Sequence, residues 1–260
     1  MEDEAFGGNP GAWPLPAAAS AEDLWLRAVA AGGLGRYSSA LTDLAAVRRL
    51  APRGRLASLA CSTHASFLRQ LGWHDQARSL DGQAWALSGG SGEAAADALI
   101  GLAADALGVG RFAASARALD RASALVAASG VARLPVRLAW VSAELAMVRA
   151  DGASAVAHAE RAVRLAESLG SVRHAAKSAI ILAAAHASSG DTDAARVEAG
   201  AALTQTQRHG LVPLQWAAAC LLADLPSPGG GGEPSQAEIT AIRDRAAESV
   251  TRWGGVWRSR

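Results

Sequence analysis

Two pairs of basic residues are the clearest chemical feature of this chain. Arg133 and Arg137 form the first pair, and Arg173 and Lys177 form the second pair forty residues later. Residues four apart share one face of a helix, and packed helices lie about 8–10 Å apart. Two helix N-termini with four cations would suit an anion: an acidic peptide, a C-terminal carboxylate or a phosphate. The alternative interpretation is an ordinary solvated charged face.

An aromatic and an acidic side chain share the helix of the first pair. Trp140 follows Arg137, and Glu144 lies one turn further on. Tryptophan buries a large area and often dominates the energy of a protein interface. We therefore predict a partner-binding site made of Arg133, Arg137, Trp140, Glu144, Arg173 and Lys177.

No arrangement of residues predicts catalysis, a metal site or a cofactor. The six histidines are isolated from metal-ligand partners, and the one His–Cys pair at helical spacing, His64 with Cys61, falls where core residues are expected. Nucleophile-elbow and phosphate-loop motifs are missing, and no residues remain for a DNA-recognition helix. The sequence therefore predicts a protein that is not an enzyme and does not contact nucleic acid directly.

Charge and cysteine content agree with that conclusion. The 25 basic and 24 acidic residues give a net charge of +1, which does not favour general nucleic-acid or membrane-surface binding. The two cysteines are too distant in sequence for a disulfide framework. The acidic N-terminus lacks an apolar signal region, and apolar runs are shorter than the roughly 20 residues of a membrane span. We expect a soluble, cytoplasmic protein.

Small residues recur with a period of forty residues, which is typical of stacked helical hairpins. We expect the glycines of one set to end helices in the left-handed conformation, and the alanines of the other to lie where two helices approach closely. The two sets are Gly90, Gly130, Gly170, Gly210 and Ala103, Ala143, Ala183, Ala223.

Glycine- and proline-rich stretches divide the chain into four segments. We expect a flexible tail over residues 1–19, a helical repeat domain over 20–225, a Pro/Gly linker over 226–234, and a capping helix with its tail over 235–260. Ser235 and Glu238 form a capping-box sequence at the start of the last helix. That helix carries an apolar stripe, so we expect it to close the end of the stack.

The hairpins resemble tetratricopeptide repeats. The segment Gly35-Arg36-Tyr37, with Ala40, Leu44, Val47 and Pro52, is similar to the second helix of that family, and Gly110-Arg111-Phe112 and Gly190-Asp191-Thr192 open similar segments. The first-helix aromatics of the family are mostly missing, and the period is about 40 residues where the family has 34. In these respects the chain resembles the longer, divergent repeats of bacterial regulatory proteins.

This resemblance implies an all-α protein, a right-handed α-solenoid of about six antiparallel helical hairpins. It also implies a non-enzymatic adaptor or scaffold that binds a protein segment, possibly an acidic one, in its concave groove. The alternative is a sensor or regulatory module for a small ligand or signalling peptide, which would act on transcription or signalling through a partner. A more distant alternative is an enzyme accessory subunit. An apolar groove over several repeats would favour a protein segment, whereas a closed polar pocket would favour a small ligand.

Overall fold

Short turns join the helices, so each helix folds back antiparallel on the one before it. The computed structural model describes residues 1–226 and 234–259, and these ranges contain thirteen α-helices and no strand. The helices are α1 (Glu2–Phe6), α2 (Ala21–Gly33), α3 (Tyr37–Leu50), α4 (Gly54–Gln70), α5 (His74–Leu87), α6 (Gly92–Gly108), α7 (Phe112–Ser129), α8 (Arg133–Val148), α9 (Gly152–Leu169), α10 (Val172–Ser189), α11 (Thr192–Arg208), α12 (Val212–Asp224) and α13 (Gln236–Arg252).

Helices α2 to α13 form six hairpins, each made of an even-numbered helix followed by an odd-numbered one. The even-numbered helices also pack on one another in sequence, from α2 through α12, and form an inner layer. The odd-numbered helices α3 to α11 pack outside them, against their neighbours in the chain. The predicted all-α solenoid of about six antiparallel hairpins is confirmed.

The forty-residue period has the steric meaning that the sequence predicts. Ala103, Ala143 and Ala183 are completely buried at equivalent positions of α6, α8 and α10. Gly130 and Gly170 follow α7 and α9 in the left-handed conformation, with φ of 67° and 68°. A side chain larger than alanine at the alanine positions would hold neighbouring helices apart.

The N-terminal segment differs from the flexible tail expected over residues 1–19. It begins with the short helix α1, packs against α2 and α10, and buries Ala5. We call residues 1–16 the N-terminal strap. Five residues are too few to show a helical period, and a helix of that length is stable only through tertiary packing. No sequence pattern therefore indicates α1.

The C-terminal segment closes the solenoid into a ring. Helix α13 begins with the predicted capping box and packs on α12. The residues after it return to the first two hairpins, where Ser38 N–H donates to the Trp253 carbonyl at 2.9 Å and Arg258 N–H donates to the Leu71 carbonyl at 2.9 Å. Most of the predicted linker, residues 227–233, lies outside the described residues.

Candidate binding cavity

The inner helices surround a cavity of about 390 Å³ at the centre of the ring. Side chains from α1 and from all six even-numbered helices line it. The six residues that the sequence singled out all lie on its wall: Arg133, Arg137, Trp140, Glu144, Arg173 and Lys177. The structure therefore brings the two basic pairs together on the wall of one partly open cavity, where the sequence predicted a concave groove.

The cavity wall is largely apolar, and its charged residues are predominantly basic. Among its described residues, five are basic and two, Asp97 and Glu144, are acidic. The basic residue outside the predicted site is Arg69, near the end of α4. Buried like charges are costly unless acidic groups or ligands compensate them, so the pairing of each cation decides what the cavity can bind.

The basic pair of α8 is compensated by acidic residues of α6. The buried guanidinium of Arg133 donates to Glu93 with an Nη2–Oε1 distance of 2.6 Å. Arg137 Nε lies 2.9 Å from Asp97 Oδ1, although it is not oriented for a hydrogen bond. Burial alone would raise the pKa of Asp97, but Arg137 and Arg133 outweigh it and lower that pKa. The charges of the α8 arginines are thus largely balanced within the protein.

The basic pair of α10 is less compensated. Within the described chain, Arg173 has no acidic partner and donates from Nη1 to the Val29 carbonyl at 3.1 Å. Burial, together with the nearby cations Arg137 and Arg133, lowers the pKa of Arg173 to about 10. Burial also lowers the pKa of Lys177, while Glu144 partly restores it. An anion beside these two cations would relieve both effects.

Trp140 forms part of the wall instead of projecting as a free anchor. Its side chain is 7% exposed, its Nε1–H donates to Ser178 Oγ at 2.8 Å, and it stacks on His174 with centroids 5.3 Å apart. Lys177 Nζ lies 4.5 Å from the centroid of the same ring. Burial raises the pKa of Glu144, and the positive charge of Lys177 opposes this increase. The tryptophan therefore fixes the position of a cation by a cation–π contact.

Acidic and basic residues alternate across the first inner helices. Glu22 of α2 pairs with Arg55 of α4, Arg55 pairs with Glu93 of α6, and Glu93 pairs with Arg133 of α8. We call this series the charge ladder. Its next member, in α10, is Arg173, which is again a cation. The alternation therefore breaks between α8 and α10, where two arginines follow each other without an intervening anion.

The forty-residue period contains a further signal, which extends the predicted site by one repeat. One period before Arg133 stands Glu93, and one period before Arg137 stands Asp97. The same two columns thus carry acids in α6 and bases in α8 and α10. Comparison of all three repeats identifies the partners of the α8 arginines. Nothing similar in the sequence indicates that Phe6 of α1 also lines the cavity.

Arg69 belongs to a second buried cluster at the edge of the cavity. Its guanidinium donates to Asp81 of α5 and, at 2.9 Å, to Asp105 of α6. Both carboxyl groups are fully buried. Burial raises the pKa of Asp81 to about 7, and Asp105 contributes in the same direction against Arg69. One cation therefore serves two carboxyl groups, which favours retention of a proton by one of them.

Other kinds of site are not evident in the part of the chain that the structure describes. No three His, Cys, Asp or Glu side chains there are grouped closely enough to hold a metal ion. None of the helices in these ranges is long and apolar enough to cross a membrane.

Comparison with known proteins supports the fold. No protein-family model and no curated protein matches this sequence. A chain of the solved APC/C hetero-tetramer Cut9–Hcn1, at 16% identity and a TM-score of 0.53, matches 87% of this chain. The match spans 42% of that chain, so the present sequence corresponds to less than half of its length. In its fold, this chain is a tetratricopeptide-repeat-like helical repeat protein.

Proposed function

We propose that this protein is a non-enzymatic binding module that holds an anionic group in its central cavity. Helical solenoids of this type serve typically as scaffolds for protein interactions. The preferred partner is a protein segment that presents a carboxylate or a phosphate to Arg173 and Lys177. Through such a contact the protein would act as an adaptor between that partner and other components.

The break in the charge ladder carries this proposal. A cation inside a protein is normally compensated by an acidic group, and Arg133 and Arg137 follow this rule. Arg173 does not, although burial and neighbouring arginines weaken its charged form. A site that retains an uncompensated, half-buried cation is suited to an anion that arrives from outside.

A small anionic ligand is the second candidate, and closure of the ring favours it. The volume of about 390 Å³ lies within the range of about 300–1,000 Å³ that is typical of small-molecule pockets. The C-terminal segment also joins the two ends of the solenoid around the cavity by contacting the first two hairpins. Such a ligand would make the protein a sensor. Both candidates share the same anion-binding chemistry and differ in what carries the anion.

The test measures how anions of different size bind to the wild type and to a variant of the α10 pair. Binding of inorganic phosphate, succinate and a tetraglutamate peptide to the full chain is measured by titration calorimetry. We expect Arg173→Gln combined with Lys177→Met to lower the affinity by about a hundredfold or more, because each of the two lost charge-assisted contacts contributes about 1.5–3 kcal/mol. Preference for the peptide supports the adaptor, and preference for the free anions supports the sensor.

Arg164→Gln is the matched control, because Arg164 is exposed on the outer helix α9 and pairs there with Glu160. Its affinity for each probe should equal that of the wild type. Circular dichroism melting verifies that all variants remain folded. Unchanged affinity in the Arg173/Lys177 variant, or binding of none of the probes, would refute the proposal.

A further inference from the structure

The wall of the central cavity has a basic side and an apolar side. The two basic pairs lie in the first two turns of α8 and α10. Helix α12, which packs next to α10, contributes only uncharged residues to the wall: Pro213, Leu214, Trp216 and Ala217. A largely apolar wall with a few charged groups at one side is typical of a small-molecule site.

Helix α10 carries the transition between the two sides on a single face. Arg173, Lys177 and Ile181 are spaced by four residues, and all three line the cavity. With a rise of 1.5 Å per residue, the change from cationic to aliphatic side chains takes place within about 12 Å of the helix axis. Ile180, the residue before Ile181, is buried in a hydrophobic cluster against which Leu214 of α12 packs. The apolar side is therefore continuous from α10 to α12.

The charges of the wall leave one cation in excess. The arginines that α4 and α8 contribute to the wall all lie beside carboxyl groups of α5 or α6. Lys177 has Glu144 nearby, and the negative charge of Glu144 raises the pKa of the lysine. In the described part of the chain, Arg173 contacts only neutral groups, the Val29 carbonyl and the ring of Phe6, whose centroid lies 5.7 Å from the guanidinium carbon. One negative charge would balance this wall, and a second would have no cation left.

We infer that the cavity binds a free organic acid with a single carboxylate and an apolar body, of the class of medium-chain fatty acids and arylalkanoic acids. The carboxylate would lie beside Arg173, and the hydrocarbon would extend along Ile181 and Leu214. This inference rests on the proposed function, because it names the anion that the cavity selects. A molecule of this size suits a partly open cavity of about 390 Å³.

Two separate contributions to the affinity follow from this arrangement. A carboxylate beside a guanidinium forms a charge-assisted contact, and each methylene that leaves water for the apolar side adds to the binding energy. A second carboxylate at the far end of the ligand would enter the apolar side without a cation, which is costly. The affinity should therefore increase with chain length and decrease when the far end is charged.

The first experiment measures binding of butanoate, hexanoate and octanoate to the full chain by titration calorimetry. We expect the affinity to rise about fourfold for each added methylene. Suberate has the eight carbons of octanoate and a second carboxylate at the far end, so it should bind at least about tenfold more weakly. Octanol, which lacks the charge, should also bind about tenfold more weakly than octanoate. The peptide glycyl-glycyl-leucine presents a similar chemistry at a peptide C-terminus and should bind more weakly than octanoate.

The second experiment changes each side of the cavity in turn. Arg173→Gln removes the cation, and Ala217→Asp places a carboxylate on the apolar side. Each variant should lower the affinity for octanoate by about tenfold or more. Ala157→Asp makes the same change on the exposed face of α9 and is the matched control, with the affinity of the wild type expected. Circular dichroism melting verifies that the three variants are folded.

Equal affinities for butanoate, hexanoate and octanoate, or suberate that binds as tightly as octanoate, would overturn the inference. Octanoate binding that neither Arg173→Gln nor Ala217→Asp weakens would also overturn it, as would tighter binding of the leucine peptide than of octanoate. The chain-length series separates this inference from the proposed function. If phosphate and succinate bind in dependence on Arg173 and Lys177 while the affinity does not increase with chain length, the anion site is real and only the inference of an apolar ligand is wrong.

Discussion

At the scale of single residues, the cavity combines charges that stabilise one another with a charge that lacks compensation. Arg133 and Arg137 lie next to carboxylates of α6, whereas Arg173 makes a hydrogen bond to a backbone carbonyl. The acidic Asp81 shows the opposite imbalance, because it shares Arg69 with Asp105 in a fully buried position. These two departures from ordinary pairing are the places where ligand and pH effects are expected.

The buried Asp81 predicts a specific dependence of stability on pH. Burial raises its pKa in the folded state from 3.8 to about 7, so the folded protein binds more protons than the unfolded chain between these values. The contribution of Asp81 therefore decreases the free energy of unfolding as the pH rises through this window. Asp81→Asn should remove up to about 1.4 kcal/mol per pH unit of this slope.

Urea denaturation of the wild type and Asp81→Asn at a series of pH values from about 4.5 to about 8 measures this effect. His174 contributes the opposite slope, because burial lowers its pKa well below 6.5, so the difference between the two proteins is the relevant quantity. Asp120→Asn, at an exposed position of α7, serves as the control. Parallel stability curves for wild type and Asp81→Asn would show that Asp81 is ionised in the folded protein.

At the scale of elements, the hairpins depend on small residues where helices cross. The core of the fourth hairpin contains Ala143 of α8 together with Ala155, Ala159 and Ala162 of α9. All four are completely buried. Alanine removes little water-exposed area but allows close helix contact, so the stability of each hairpin is sensitive to added volume.

We expect Ala143→Leu to decrease the free energy of unfolding by about 1–3 kcal/mol, because the additional carbon atoms have no space at this crossing. Ala183→Leu, at the equivalent position of α10, should have a similar effect. Ala157→Leu on the exposed face of α9 is the matched control and should change the stability little. Equal denaturation midpoints for Ala143→Leu and Ala157→Leu would contradict this account of the period.

At the scale of the whole molecule, the C-terminal segment joins the two ends of the solenoid. Trp73 Nε1–H donates to the Val256 carbonyl at 2.7 Å, and the rings of Trp216 and Trp257 lie 4.4 Å apart. These contacts join the last hairpin and the C-terminal tail to the second hairpin, and Trp216 also lines the cavity. A solenoid without this contact would present an open groove with space for larger partners.

Gly254 is the position at which this closure is most sensitive. Its φ is +94°, and a Cβ there would overlap Ser38 of α3. We expect Gly254→Ala to release the C-terminal segment and to accelerate hydrogen exchange of the Ser38 and Arg258 amides, which donate across the closure. The cavity should then open, with a larger radius of gyration in X-ray scattering.

Gly90→Ala is the control for Gly254→Ala. Gly90 has a φ of +76°, and a Cβ added there would meet no heavy atom within 4 Å, so this variant tests backbone strain without steric overlap. It should leave exchange at Ser38 unchanged. Exchange at Ser38 that is equally slow in the wild type and in Gly254→Ala would show that the closing contact tolerates the added methyl group.

The sequence by itself determined the architecture of the repeats and part of the candidate site. Helix type and hairpin order follow from local turns and a forty-residue period, because each repeat packs mainly on its neighbours. The same period places Arg133 with Arg173 and Arg137 with Lys177 on adjacent inner helices, so their proximity was predictable. Extending the comparison of the two repeats to the preceding repeat would also have predicted Glu93 as the partner of Arg133.

Only the tertiary structure decided how the ends of the solenoid meet and what covers the cavity. The contacts of Phe6 with Arg173, and of Ser38 with Trp253, join residues from opposite ends of the chain. Neither contact has a periodic pattern, because each occurs once and depends on the accumulated curvature of six hairpins. The same curvature formed the expected concave groove into a central cavity, and left Arg173 on its wall without an acidic neighbour among the described residues.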